Sequence, residues 1–279
     1  MRITPARMVG VLGAAPKPAK VWQEQFDYCQ EVLVRLAQAD WDKVNEGDFS
    51  YYFLDLAYSD LQLDLFRHVF PACLKYWYDT LMRDDPAGDF HYALEQGQIL
   101  EKMLSAQERQ SLLEFFRDGF LDRIETERDF TRDRGSKANQ WIFRFNDLGS
   151  VAPVIPRIWE SWWMLDHLGK AVSAVMYASG LVYVPGENPI FGAWTEDHGP
   201  GGPYLEFTYN RGWQSDNVTF LRSTLSPRYV LQKLEQAATA LAGTGDAEMA
   251  RQVANDAETR TDVIEMRIGD LIEALSRVR

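Results

Sequence analysis

Glu196, Asp197 and His198 are the residues of this chain whose types and spacing best suit chemistry. Two carboxylates and an imidazole in consecutive positions could share a divalent metal or exchange a proton with a substrate. They lie in the Gly/Pro-rich stretch 185–203, flanked by Trp194 and Trp213. Long irregular stretches inside compact domains are uncommon and disproportionately functional. A metal needs three or four ligands, and the triplet supplies only local candidates. It therefore reads first as a polar loop tip held by its turn residues. Trp194, Glu196, Asp197, His198 and Trp213 are the expected binding residues, with the triplet as the catalytic candidates. Metal occupancy stays open and no cofactor is expected.

The rest of the chain offers little competing chemistry. It contains no Gly-x-x-x-x-Gly-Lys-Ser/Thr loop, no Gly-x-Gly-x-x-Gly, no Gly-x-Ser-x-Gly, no His-Glu-x-x-His and no Cys-x-x-Cys. His68 and His167 read as core or boundary histidines. His91 shares a helical face with Glu95, a pairing common by chance. Trp159, Trp162 and Trp163 read as packing residues rather than a ligand pocket.

Charge sets the class of partner. Twenty-nine lysines and arginines against 41 aspartates and glutamates give a formal net charge of −12. That field repels phosphate backbones and anionic lipid, so neither nucleic acid nor membrane is an expected partner. A basic protein is. Two cysteines, Cys29 and Cys73, do not make a disulfide framework, and with no apolar run long enough to span a bilayer they point to the cytoplasm. The leading expectation is an acidic protein-binding protein, an immunity-like or regulatory partner of a basic protein, leaning away from an enzyme. One alternative is a hydrolase, with or without a metal, built on Glu196, Asp197 and His198. Another is an oligomeric structural subunit that dimerises through its C-terminal helices.

The elements that must position these residues are mostly helical. Residues 1–19 read as a flexible arm, 20–225 as a helical domain with a small β insertion, and 226–279 as a helical hairpin packed on it. Val21, Phe26, Cys29, Val32, Leu33 and Leu36 mark one face of a helix over 20–39. Pro71 is expected to end or kink the next helix. Ser105 and Glu108 fit a capping box. Residues 141–145 suggest a short strand, and 157–179 an apolar helix closed by Gly180. Four short strands follow at 181–184, 190–194, 204–209 and 218–221. Ser226 and Pro227 open a further helix, and one last helix runs from 247 to about 277. The fold class is predominantly helical α+β: about seven helices around one core, with a small antiparallel insertion near 181–222.

Overall fold

The structure, a computed structural model, describes residues 3–85, 89–130, 136–184, 186–191 and 212–277. Among these residues there are fourteen α-helices, one 3-10 turn and no strand. The chain divides into two compact units, Met1–Gly119 and Phe120–Arg279.

The first unit holds α1 (Pro5–Gly10), α2 (Gln30–Gln38), α3 (Glu46–Tyr58), α4 (Leu63–Met82), α5 (Asp89–Gln96), α6 (Ile99–Lys102) and most of α7 (Ala106–Ile124). Inside the stretch read as an arm, α1 buries Met8, and Val11 and Leu12 are buried behind it. α3 and α5 pack together around Phe49, Phe53 and Phe90, whose rings follow one another at 5.7 and 5.2 Å. Trp77 of α4 continues this core against Phe115 and Phe116 at 5.6 and 5.0 Å. Pro71 lies inside α4 and does not end it. Its missing amide removes one helical bond, and burial of that whole stretch, from Val69 to Leu74, outweighs the loss. The capping box at α7 forms as its spacing predicts: the Ser105 amide donates to Glu108 Oε2 at 2.8 Å, and the Glu108 amide to Ser105 Oγ at 3.3 Å.

The second unit holds α8 (Ser136–Val151), α9 (Ile155–Trp162), α10 (Leu168–Val182), α11 (Ser215–Thr224), α12 (Pro227–Ala240), α13 (Ala247–Thr259) and α14 (Thr261–Ser276). Phe145 sits at the centre of an aromatic cluster, 5.9 Å from Trp162, 5.5 Å from Trp213 and 6.3 Å from both Trp159 and Tyr177. The tryptophans of α9 are packing residues, as their number in a helical chain suggests.

Among the described residues the β insertion is not there. Leu181 and Val182 close α10, residues 218–221 belong to α11, and Ile190 and Phe191 form a turn. Residues 192–194 and 204–209 lie outside the described residues. The expected strand at 141–145 is part of α8. Residues 141–145 and 181–183 are buried throughout, and a short, wholly buried apolar run carries no period that separates helix from strand. The α+β assignment therefore gives way to an all-α fold. Three helix boundaries also differ. Residues 20–29 are not helical and α2 starts at Gln30. Residues 157–179 make two helices, because Leu165 turns at φ 58° and His167 caps α10 by accepting from the Gly169 amide at 3.1 Å. The last helix breaks at Arg260, so the expected hairpin is three helices. No described helix is long and apolar enough to cross a membrane.

Glycine packing gives a paired test. A β-carbon on Gly97 would land on the backbone carbonyl oxygen of Leu56, whereas one on Gly269, inside α14 and exposed, meets nothing within 4 Å. Gly97→Ala is expected to destabilise by about 1–3 kcal/mol, since backbone cannot yield as a side-chain tip can. Gly269→Ala is expected to stabilise by about 0.5–1 kcal/mol through lost unfolded-chain entropy. Urea unfolding midpoints measure both.

Candidate protein-interaction surface

Residues 20–29 form no regular structure in a unit made of helices, so their backbone groups have no helical or sheet partners. Glutamine side chains take that role. Gln62 Oε1 accepts from the amides of Trp22 at 2.8 Å and Gln23 at 3.3 Å, and its Nε2 donates to the Lys20 carbonyl at 2.7 Å. Gln23 Oε1 reciprocates by accepting from the Gln62 amide at 2.9 Å. Gln30 Nε2 donates to the Gln23 carbonyl at 2.8 Å, and its Oε1 accepts from the Gln25 amide at 3.1 Å. Gln25 in turn donates to the Tyr51 carbonyl at 3.2 Å and accepts from the Cys29 amide at 2.8 Å. Asp55 of α3 closes the set by accepting from the Phe26 amide at 2.7 Å.

The clasp fixes which side chains face outward. Gln23 and Gln25 are buried, while Trp22, Glu24 and Phe26 are exposed, the period-two alternation of an extended chain. Trp22 is 61% exposed, Phe26 46% and Tyr28 95%. The Phe26 ring stacks on Tyr58 of α3 at 4.9 Å, and Tyr58 lies 6.3 Å from Tyr92 of α5. The result is an aromatic row on one side of the unit. Tyr28 adopts φ 61°, a left-handed conformation that disfavours a bulky side chain. Its exposed ring gains nothing from packing to offset that strain.

Only acidic charge accompanies these rings locally in sequence. No lysine or arginine occurs between Lys20 and Arg35, where Glu24, Asp27 and Glu31 lie, nor between Lys43 and Arg67, where Asp60 and Asp64 lie. All five of these carboxylates are exposed. Asp55 differs. It is wholly buried beneath the segment, with Oδ2 lacking any hydrogen-bond partner, and burial pushes its carboxyl up from the ordinary 3.8 to about 6 against the opposing pull of the Phe26 amide and Ser59 hydroxyl.

The chain matches no family model, no curated protein and no solved structure. The residues must therefore speak for themselves.

Of the residues singled out in the sequence, Trp194, Glu196, Asp197 and His198 lie outside the described residues. Trp213 is only 5% exposed; its ring packs against Phe145 and against Gly149, where a β-carbon would approach to 2.5 Å. Its amide donates to the Leu275 carbonyl at 2.7 Å. The other histidines serve structure. His68 Nε2 contacts the Ala39 carbonyl at 3.1 Å, His91 Nε2 accepts from the Trp77 indole at 2.6 Å, and His167 is a helix cap. Among the described residues no group of three or more His, Cys, Asp or Glu is placed to hold a metal ion. Arg123 and Glu127 form a buried ion pair at 2.7 Å, between residues one turn apart near the end of α7 and just beyond it.

Val21, Phe26 and Cys29 extend the helical stripe of α2, which hides the row in the sequence. The available signal was the alternation of glutamine with aromatic and acidic residues from Trp22 to Phe26.

Two measurements test this construction. Gln62→Ala strands the amides of Trp22 and Gln23, and is expected to cost about 1–3 kcal/mol and to speed hydrogen exchange at those two amides first. For Asp55 the folded pKa lies above the unfolded one, so the folded state binds the proton more tightly. Stability should rise as pH falls from 7 through 6 toward ~4. Asp55→Asn should flatten that part of the profile in urea titrations; identical slopes in the two proteins would contradict the assignment.

Proposed function

We propose that this protein recognises a basic polypeptide segment, bound across the Trp22–Phe26–Tyr58 row with Tyr28 at its edge. The observation that carries this reading is the clasp itself. Buried Gln23, Gln25 and Gln62, with Gln30 at the surface, hold an irregular segment whose outward side chains from Trp22 to Tyr28 are aromatic or acidic, an arrangement that adds exposed apolar area and strain without adding core. Aromatic faces attract guanidinium and ammonium groups with about 0.5–2 kcal/mol each. Neighbouring carboxylates supply longer-range attraction that falls with salt. The net charge of −12 acts in the same direction over the whole surface. Both cysteines are free thiols, which supports a reducing, cytoplasmic setting.

A labelled peptide of alternating arginine and glycine, followed by fluorescence anisotropy, tests the proposal. Binding should weaken as salt rises. Trp22→Ala and Tyr28→Ala should each reduce affinity about tenfold, about 1.4 kcal/mol, while a glutamine-for-arginine peptide should not bind. If both aromatic variants retain wild-type affinity, the row is not the recognition surface.

A further inference from the structure

A second feature of the first unit lies on the other side of α3. Phe49 and Tyr58 are about two and a half turns apart on that helix, so they emerge on opposite sides. Around Phe49 there is a recess of about 270 Å³, its open mouth included, bordered by Trp41, Asp42, Glu46, Tyr76 and Asp79. The enclosed part is about 40 Å³, far below the about 300–1,000 Å³ of sites for drug-sized molecules, so only a small head group suits it.

Its chemistry is specific. The Phe49 ring lies 4.6 Å from Tyr76 and is backed by Phe53 at 5.7 Å, which makes an aromatic floor and wall. Trp41 borders the recess from the 3-10 turn Trp41–Lys43, half-buried and without an aromatic neighbour among the described residues. Three carboxylates border it against one ammonium, that of Lys75. Two of those carboxylates are already engaged. Arg83 holds Glu46 through two bonds of 2.9 and 3.0 Å, and Lys75 holds Asp79. Asp42 has no ion-pair partner among the described residues, because the adjacent Lys43 is turned to Asp40 at 3.1 Å. The unneutralised charge therefore stands next in sequence to the unpartnered indole.

We infer that this recess binds the head of a small organic cation, an alkylammonium or guanidinium group, between the Trp41 and Tyr76 rings with Asp42 as its counter-ion. Aromatic faces and a carboxylate around one small space are the general means of holding such cations. An anion would meet three carboxylates and an ammonium already paired. The Asn45 side chain caps the start of α3 by accepting from the Gly47 amide at 3.0 Å.

The cation can come from a free amine or from a basic side chain, and the experiment separates them. The full-length, isotope-labelled protein is titrated by NMR with choline, with butylguanidinium, and with a glycine–serine peptide carrying one arginine. A fourth titration uses the carbon isostere of choline, in which a tert-butyl group replaces trimethylammonium. At least one cation should give saturable shifts at the Trp41 indole and the amides of residues 42–46. Trp41→Ala and Asp42→Asn should each weaken that binding tenfold or more, and the isostere should not saturate. The tighter arm identifies the source. Absence of saturation with every cation, equal binding of the isostere, or unchanged affinity in both variants with wild-type melting curves would overturn the inference. Because the recess and the aromatic row lie on opposite sides of α3, this result and the peptide result fail independently.

Discussion

The satisfaction of backbone polar groups outside the helices is the constraint on which the rest of this structure depends. Helices pair their own amides and carbonyls, but each irregular connection in an all-helical chain must find partners without a sheet to supply them. Side-chain amides and carboxylates do so repeatedly here. Gln23, Gln25, Gln30 and Gln62 clasp residues 20–29. In the second unit Asp246 accepts from the amides of Asp129 and Phe130, at 3.1 and 3.0 Å. Asn217 donates to the carbonyls of Gly149 and Ala152, at 2.8 and 2.9 Å, and Asn188 accepts from the Ile190 amide at 2.9 Å. Apart from Gln30 these side chains are buried or partly buried, so for them each unmade bond would carry the desolvation penalty of a stranded group, about 1–3 kcal/mol.

That arrangement links connection geometry to surface chemistry. A segment held through its backbone by neighbouring side chains needs no apolar anchor of its own, which frees Trp22, Phe26 and Tyr28 to point outward. A helix over the same residues would have turned Phe26 and Cys29 inward on one stripe. The clasp instead imposes an alternation of two, and with it a display of aromatic rings ordered before any partner arrives. Ordering a surface in advance lowers the entropy lost on binding.

The sequence made the helical content legible, together with both side-chain caps at Ser105 and Ser226, because these rest on local rules that tertiary context rarely reverses. The packing role of Trp159, Trp162 and Trp163 was readable for a similar reason: large apolar residues at helical spacing have few other uses. Strand and helix could not be told apart at 141–145, 181–184 and 218–221. Burial on every side erases the period in the first two, and β-branched residues such as Val182 and Val218 tilt a local reading toward strand. The breaks at Leu165 and Arg260 were hidden because neither carries glycine or proline. The aromatic row was hidden differently. Its signal was a run of glutamines, and glutamine in sequence is neutral; only the partners Gln62 and Asp55, more than twenty residues away, make it a clasp.

Tyr28 shows why the display is more than a by-product of the clasp. A left-handed conformation disfavours a β-carbon by about 1–2 kcal/mol, and glycine or asparagine would relieve it. The turn itself is held by the Tyr28 amide on the Gln25 carbonyl at 3.1 Å and the Cys29 amide on Gln25 Oε1, neither of which uses the tyrosine side chain. A ring that is 95% exposed returns almost nothing through burial. Folding therefore gives no reason to prefer tyrosine at this position. The proposed contact with a basic segment would supply one, and the same argument applies with less force to Trp22, whose amide, not its indole, is what Gln62 holds.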